Sequence, residues 1–363
     1  MKRLLVTLAL LALPVLAQRQ NFTINVGTPE GQLLQQIGQE TDQAKKIALG
    51  EDFLSKYPKH EGAAWVGGQL EQAYLQQKDF DKALAAADKA YSGGPNDVDL
   101  GFNAIKAAEG KEDAEQVKKW AERTAEVAQK VANPATPPTE ADAKADMEHA
   151  KEVAAYAEYA LYAQVLKSRD SKLTADLGET LEKVNPKSQY LWLASTKYLA
   201  SLGAKGCATA TKLATADSRN AEAFLFAAEC GWRGSNAASV VSNADRALAA
   251  LNTRPKVEGG GEGGKIGMAN FFVGTGNAMQ QRWGPANKAL RAALPAIKGE
   301  PTYEANALFT LGLSNYQLGK AIGDRGQMRE ALHYFEQAAA IKSNVQDQAN
   351  RNVIAIRAEL GGK

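Results

Sequence analysis

Apolar side chains recur along this chain three and four residues apart, and the pattern comes in pairs. In LEQAYLQQKDFDKALAAADKAYSGGP, Leu70 is followed by Tyr74, Ala83, Ala87, Ala90 and Pro95 at offsets of 4, 13, 17, 20 and 25. This spacing predicts two amphipathic helices joined by a tight turn. Large apolar residues on the first helix meet small ones on the second, so the two axes can approach closely, and a proline, which cannot continue a helix, closes the unit.

The register returns further along. Phe224, Ala227, Ala228, Gly231, Val240, Ala244 and Ala247 keep it, as do Val273, Gly274, Ala286 and Ala293, and then Leu311, Gly312, Ala331, Phe335 and Ala338. These residues resemble the tetratricopeptide repeat family, whose unit is a helix–turn–helix of about 34 residues. The resemblance is strong at 64–95, 221–250 and 268–342 and looser elsewhere. It implies an all-α chain, a right-handed α-solenoid of antiparallel helix pairs forming a superhelix. The last copy carries extra residues within Ala321 to Arg329, about two helical turns, which predicts lengthened helices.

Weaker pairs fill the remainder. Residues 28–58 open with Thr28 as N-cap and Pro29 at the first helical position and end at Pro58. Residues 98–132 and 140–186 form two more pairs, separated by the loop Asn133 to Thr139 with its three prolines. Trp192 lies in the helix YLWLASTKYLASLG, paired with CATATKLATA. The expected total is seven or eight hairpins, running over 28–251 and resuming over 268–360. Since a hairpin cannot bury its apolar face alone, the array is expected to fold as one continuous unit. Residues 252–267, with VEGGGEGGKIG, are expected to be a flexible connection, and 18–27 a disordered tail.

The N-terminus carries a different message. Met1-Lys2-Arg3, the apolar run Leu4 to Ala17 and the Val15-x-Ala17 ending have the order of a signal peptide, with cleavage expected after Ala17. Fourteen residues at ~1.5 Å each reach roughly 21 Å, short of the ~30 Å hydrocarbon core, which disfavours a permanent anchor. No later stretch of the sequence is long and apolar enough to span a bilayer. The chain is therefore expected in the periplasm or outside the cell.

Composition agrees with a helical array. Of 363 residues, 66 are alanine, the best helix former, and aromatic residues make up only 7%. The formal charge is +2, and without Lys2 and Arg3 it falls to 41 positive against 41 negative residues, which removes the main drive for binding nucleic acid. Residues 109–152 carry an acidic excess of four and residues 282–363 a basic excess of four, a distribution compatible with head-to-tail association or an acidic partner.

Motifs for chemistry are absent or broken. Gly259-x-x-x-x-Gly264-Lys265 begins like a phosphate loop, but Ile266 stands where Ser or Thr must hold magnesium. His60, His149 and His333 belong to three separate repeats without metal-ligand spacing, and no nucleophilic constellation accompanies them. The expectation is a non-enzymatic chain without cofactor or metal. The two cysteines say more. Cys207 opens the second helix of one hairpin and Cys230 lies in the first helix of the next, equidistant from the turn at Asp217 to Asn220. Antiparallel helices place such residues at one height, so a disulfide between neighbouring repeats is expected in an oxidising compartment, two buried thiols being the alternative.

In the tetratricopeptide family the first helix of each pair lines the concave face. Carried over, that face holds Trp65, Gln69, Gln72 and Gln76, then Lys197, then Glu229, Trp232 and Arg233, then Met268, Phe272, Thr275 and Met279, and last Leu313, Tyr316 and Gln317. Some members grip a carboxyl terminus with Lys and Asn on adjacent repeats. Here Gly68 with Gln72, and Leu193 with Lys197, occupy those positions, so the clamp is not reproduced. A face of glutamine, aromatic and methionine side chains suits a protein or peptide of mixed polarity. The expected function is an exported scaffold for protein or peptide partners, with a self-associating component of a cell-envelope complex as the alternative.

Overall fold

The computed structural model describes residues 24–93, 97–254 and 261–361. The expected signal peptide, residues 18–23 of the expected tail, Pro95 and Gly259 lie outside these. Among the described residues there are seventeen α-helices, one 3-10 turn at Gly203–Lys205 and no strand. The chain is all-α.

The described residues fall into two compact units, one ending at Ala157 and one beginning at Glu158. In the first, α1 (Pro29–Gln39) pairs with α2 (Gln43–Lys56), α3 (Ala63–Gln76) with α4 (Phe80–Gly93), and α5 (Val98–Gly110) with α6 (Ala114–Ala132). The helix α7 (Ala141–Lys167) begins in this unit, where Ala150, Val153 and Ala154 pack on Ala128 and Ala132 of α6. In the second unit, α8 (Ser171–Val184) packs on α9 (Gln189–Ser201), and α9 on α10 (Gly206–Ala216). Then α11 (Ala221–Arg233) pairs with α12 (Ala237–Thr253), α13 (Glu262–Met279) with α14 (Trp283–Ile297), and α15 (Pro301–Ile322) with α16 (Arg325–Ala340). A seventeenth helix, α17 (Gln346–Gly361), closes on α16. Within each unit the pairs stack in chain order, the arrangement of an α-solenoid.

The ends of these helices are written locally. The side chains of Thr28, Asp42, Asp97, Asp113, Asp170, Ser188, Asn220, Asn236 and Asp324 each accept a hydrogen bond from a backbone N–H of the following turn. Each such cap contributes about 1 kcal/mol. Five pairs share one turn. Lys78, Glu112, Ser235, Gln281 and Gly323 adopt left-handed φ between 54° and 71°. The next residue then donates its N–H to a carbonyl in the preceding helix, as Asp79 does to Tyr74, Asp113 to Ala108, Asn236 to Gly231, Arg282 to Asn277 and Asp324 to Gly319, at 2.8–3.0 Å. These bonds satisfy carbonyls that a helix end would otherwise leave open.

Packing follows the large-on-small rule. A Cβ on Gly274 would lie 2.4 Å from Leu290 Cγ, and one on Gly312 would lie 2.8 Å from the Phe335 ring, so glycine sets how closely each pair can approach. The lengthened last copy is an α15 of 22 residues against 13 in α11. The described ends of the stretch 252–267, residues 252–254 and 261–267, differ from the expected flexible connection. Helix α12 continues to Thr253 and α13 already starts at Glu262, so both ends are helical. The reason is a buried ion cluster. Arg254 forms two parallel bonds to Glu222, 2.6 and 2.9 Å, and reaches Glu262 at 3.1 Å, while Lys265 also pairs with Glu222. Residues 24–28 also depart from a disordered tail, because Thr28 N–H donates to Asn25 C=O and starts α1.

Candidate binding surface

First helices of neighbouring pairs touch: α3 meets α5 in the first unit, and α9, α11, α13 and α15 follow one another in the second. Each therefore offers a face that its own second helix does not cover. On α3, Trp65 is half-buried with its ring over Gly38 of α1, Gln69 and Gln72 are half-buried, and Gln76 is exposed.

In the second unit the expected residues divide into exposed and committed ones. Met279 is 38% exposed, and Arg233 and Gln317 are exposed. Phe272, expected on the face, is only 1% exposed and fills the core with Phe271, so it is not available to a partner. Thr275 is buried and its hydroxyl donates to the carbonyl of Phe271. Met268 and Leu313 are half-buried against the same core. Trp232 stands edge-on to Phe271, 5.4 Å between centroids, and 6.1 Å from Tyr303. The Tyr303 hydroxyl donates to Glu229 at 3.2 Å, and Glu229 also pairs with Arg233. Burial and the Glu229 charge push the Tyr303 phenol up to about 12.

Two other face residues are occupied internally. Lys197 donates to the carbonyls of Leu166 and Ser168, both at 2.6 Å, and so caps the end of α7. Tyr316 donates to Glu359 of α17 at 2.9 Å, where Lys320 joins at 2.7 Å. Periodicity along α15 alone does not show that α17 supplies this partner.

One feature of the surface escaped the sequence reading. Tyr159 and Tyr162 on α7 and Tyr190 on α9 form a cluster with ring centroids 5.7–6.4 Å apart, and Leu166 continues the row. Tyr159 is 44% and Leu166 48% exposed. The signal was present as Tyr159, Tyr162 and Leu166 at i, i+3 and i+7, a single helix face.

The cysteines are bonded. Cys207 and Cys230 form a disulfide with their Cα atoms 5.9 Å apart, joining α10 to α11. Of the histidines, Nδ1 of His60 accepts from the Gly62 N–H at 2.9 Å, His149 lies 2.7 Å from Asp99, and His333 pairs with Gln337. Among the described residues no group of three His, Cys, Asp or Glu side chains could hold a metal ion. Lys265, the lysine of the phosphate-loop look-alike, is held by Glu222 inside α13. Among the same residues no helix is long and apolar enough to cross a membrane.

No family model and no curated protein matches this chain. Solved structures do align with it. A chain of the APC/C hetero-tetramer Cut9–Hcn1 is 13% identical over 93% of this chain and 85% of its own, with a TM-score of 0.34. Yeast Tom70 is 11% identical over 92% of this chain and 97% of its own, with a TM-score of 0.22. At such scores the architecture stands on the helix pairs themselves.

Proposed function

We propose that the chain is an exported, non-enzymatic scaffold that binds protein or peptide partners through the faces of its first helices. The observation that carries this reading is the division of side chains on those faces. The charged groups Glu229, Arg233, Lys197 and Lys320 have partners within the chain, Arg233 and Lys320 while still reaching solvent, and beside them Gln76, Tyr159, Leu166, Met279 and Gln317 are exposed. Aromatic, methionine and amide groups offer contact area and adaptable hydrogen bonding at modest desolvation cost. The export half of the proposal rests on the order of charge and apolarity in residues 1–17.

Photocrosslinkers placed at Gln76 and Met279 test the binding half, with Lys89 on α4 and Arg329 on α16 as exposed controls. The expected result is one partner recovered from the first-helix positions and not from the controls. Equal labelling at all four positions would oppose the reading. Export is tested by N-terminal sequencing of the chain recovered from its source, which should begin at Gln18.

Ile322 and Ile354 are strongly exposed in the second unit, which favours a second reading, self-association within an envelope complex. Light scattering separates the two, a monomer supporting the first and a defined oligomer the second.

A further inference from the structure

Glu71 is the anomaly of the first unit. Counting seven residues back from the left-handed turn residue gives Glu71 in α3, Ile105 in α5, Ala228 in α11, Gly274 in α13 and Tyr316 in α15. Three of these five positions are small or apolar, one is a tyrosine whose hydroxyl has a partner, and Glu71 alone is a carboxylic acid. Glu71 is fully buried, at 0% exposure, and neither of its oxygens has a hydrogen-bond partner. Native interiors rarely leave a polar group in this condition, and an exception calls for a physical explanation.

Helix α3 packs chiefly on α2, α4 and α5, and Trp65 at its start reaches α1. From α5 and its cap, the Asp97 and Asp99 carboxyls oppose ionisation of Glu71, while the Asn103 amide, close by but outside hydrogen-bond geometry, is the one group that favours it; no cation is among them. From α2, Glu51 accepts a hydrogen bond from the Tyr74 hydroxyl, one turn further along α3. From α4, the Lys82 ammonium sits 5.3 Å from the centre of the Tyr74 ring, over that tyrosine. Asp99 is itself bound to His149 of α7. Acids thus surround a carboxyl that has no counter-charge. An ionised carboxylate here would meet a large desolvation penalty plus repulsion from Asp97 and Asp99.

We propose that Glu71 makes the contact between α3 and α5 proton-dependent: the two helices stay closed while Glu71 is protonated, and loss of its proton to water parts them until the carboxylate reaches solvent. Burial, then Asp97, holds the Glu71 carboxyl well above its ordinary range. The folded unit therefore binds more protons than the unfolded chain. The stability Glu71 contributes is complete below the ordinary carboxyl range and is lost as pH rises through the folded value. Gln72 and Gln76 ride on the same helix, so opening would also move part of the proposed binding face. Only that last consequence rests on the proposed function.

Hydrogen exchange on the full chain without a partner tests the device. Protection factors, corrected for intrinsic rates, are followed from about pH 5 to about pH 9.5 in wild type, Glu71→Gln and Glu71→Ala, with α11 to α16 as the reference within the same molecule. In wild type, protection of α3 and α5 relative to the reference should fall at least about tenfold across the range, the change expected for each pH unit between the ordinary carboxyl value and the folded one, and level off above it. Both variants should hold their protection constant. The Ala variant keeps the test open if Gln does not fold, because Ala or Gly occupies this register in α11 and α13. Identical pH profiles in wild type and variants overturn the proposal. A missing binding partner leaves this readout unaffected, so the two readings fail separately.

Discussion

Replacing Arg254 by methionine removes the central cation of the second unit's buried cluster. Its side chain is 0% exposed and that of its partner Glu222 is 2% exposed. Two parallel bonds join them, a third runs to Glu262 at 3.1 Å, and the guanidinium lies 5.5 Å from the centre of the Trp192 ring. Removing one partner of a buried pair costs about 3–5 kcal/mol, because the other charge stays behind without compensation. Lys265 remains on Glu222, so the low end, about 3 kcal/mol, is expected. For a unit of about 200 residues this lowers Tm by roughly 6–12 °C.

The pH dependence should change as well. Burial pushes the Glu222 carboxyl up, but Arg254 and Lys265 outweigh it and hold the group below its ordinary value. Glu222 thus contributes stability that is present above the ordinary carboxyl range and is lost as pH falls through the folded value. In Arg254→Met that support disappears, so the variant's deficit shrinks in acid. Scanning calorimetry of the full chain at two pH values reads both effects. Adding Glu222→Leu to Arg254→Met should restore most of the loss, since both members of the fully buried pair are then gone and only the partly exposed Glu262 and Lys265 lose a partner. A Tm change within about 1 °C for the single variant, or a double variant worse than the single, would refute the reasoning.

Three shorter tests follow from the same geometry. Thiol counting without reductant should find no free thiol, and replacing Cys207 and Cys230 by serine should cost about 3 kcal/mol in chemical unfolding, the loop-closure value for a separation of 23 residues. Gly274→Ala should destabilise by about 1–3 kcal/mol, because its Cβ would meet Leu290 at 2.4 Å. Gly284→Ala, with open space at the same atom, should be neutral or stabilising in the same assay. Ser235→Gly relieves a left-handed serine with φ of 54° and should add about 0.5–1 kcal/mol.

The helix pairs were legible because their information is local. Leu70, Tyr74, Ala83 and Ala87 declare a face and a turn without reference to anything distant, and Thr28 before Pro29 announces the start of α1. The left-handed turn residue was harder to see, since only one of the five, Gly323, is a glycine. What marks these turns is the Asp or Asn that follows in four of the five. The interior end of the glycine-rich stretch was misread for a physical reason. Gly263 and Gly264 argue against helix on propensity alone, and the contact that decides the matter, Arg254 with Glu222, spans 32 residues. The binding face was only partly legible. Helical register places Phe272 and Met279 on one stripe, but whether each is covered depends on neighbouring pairs, and Phe272 is covered. Lys197 and Tyr316 likewise have an exposed register yet find partners through tertiary contacts. Glu71 was invisible because a lone acid within a helix reads as a solvated one.

The central claim is that this chain consists of successive helix hairpins with a shared turn. Peptide-level hydrogen exchange of the intact chain tests it most directly. The expected map shows slow exchange within α3 to α6 and α11 to α16, interrupted by fast exchange just after each of the five turns, at the first amides of α4, α6, α12, α14 and α16. Continuous protection through those five turns, or rapid exchange throughout α11 to α16, would contradict it.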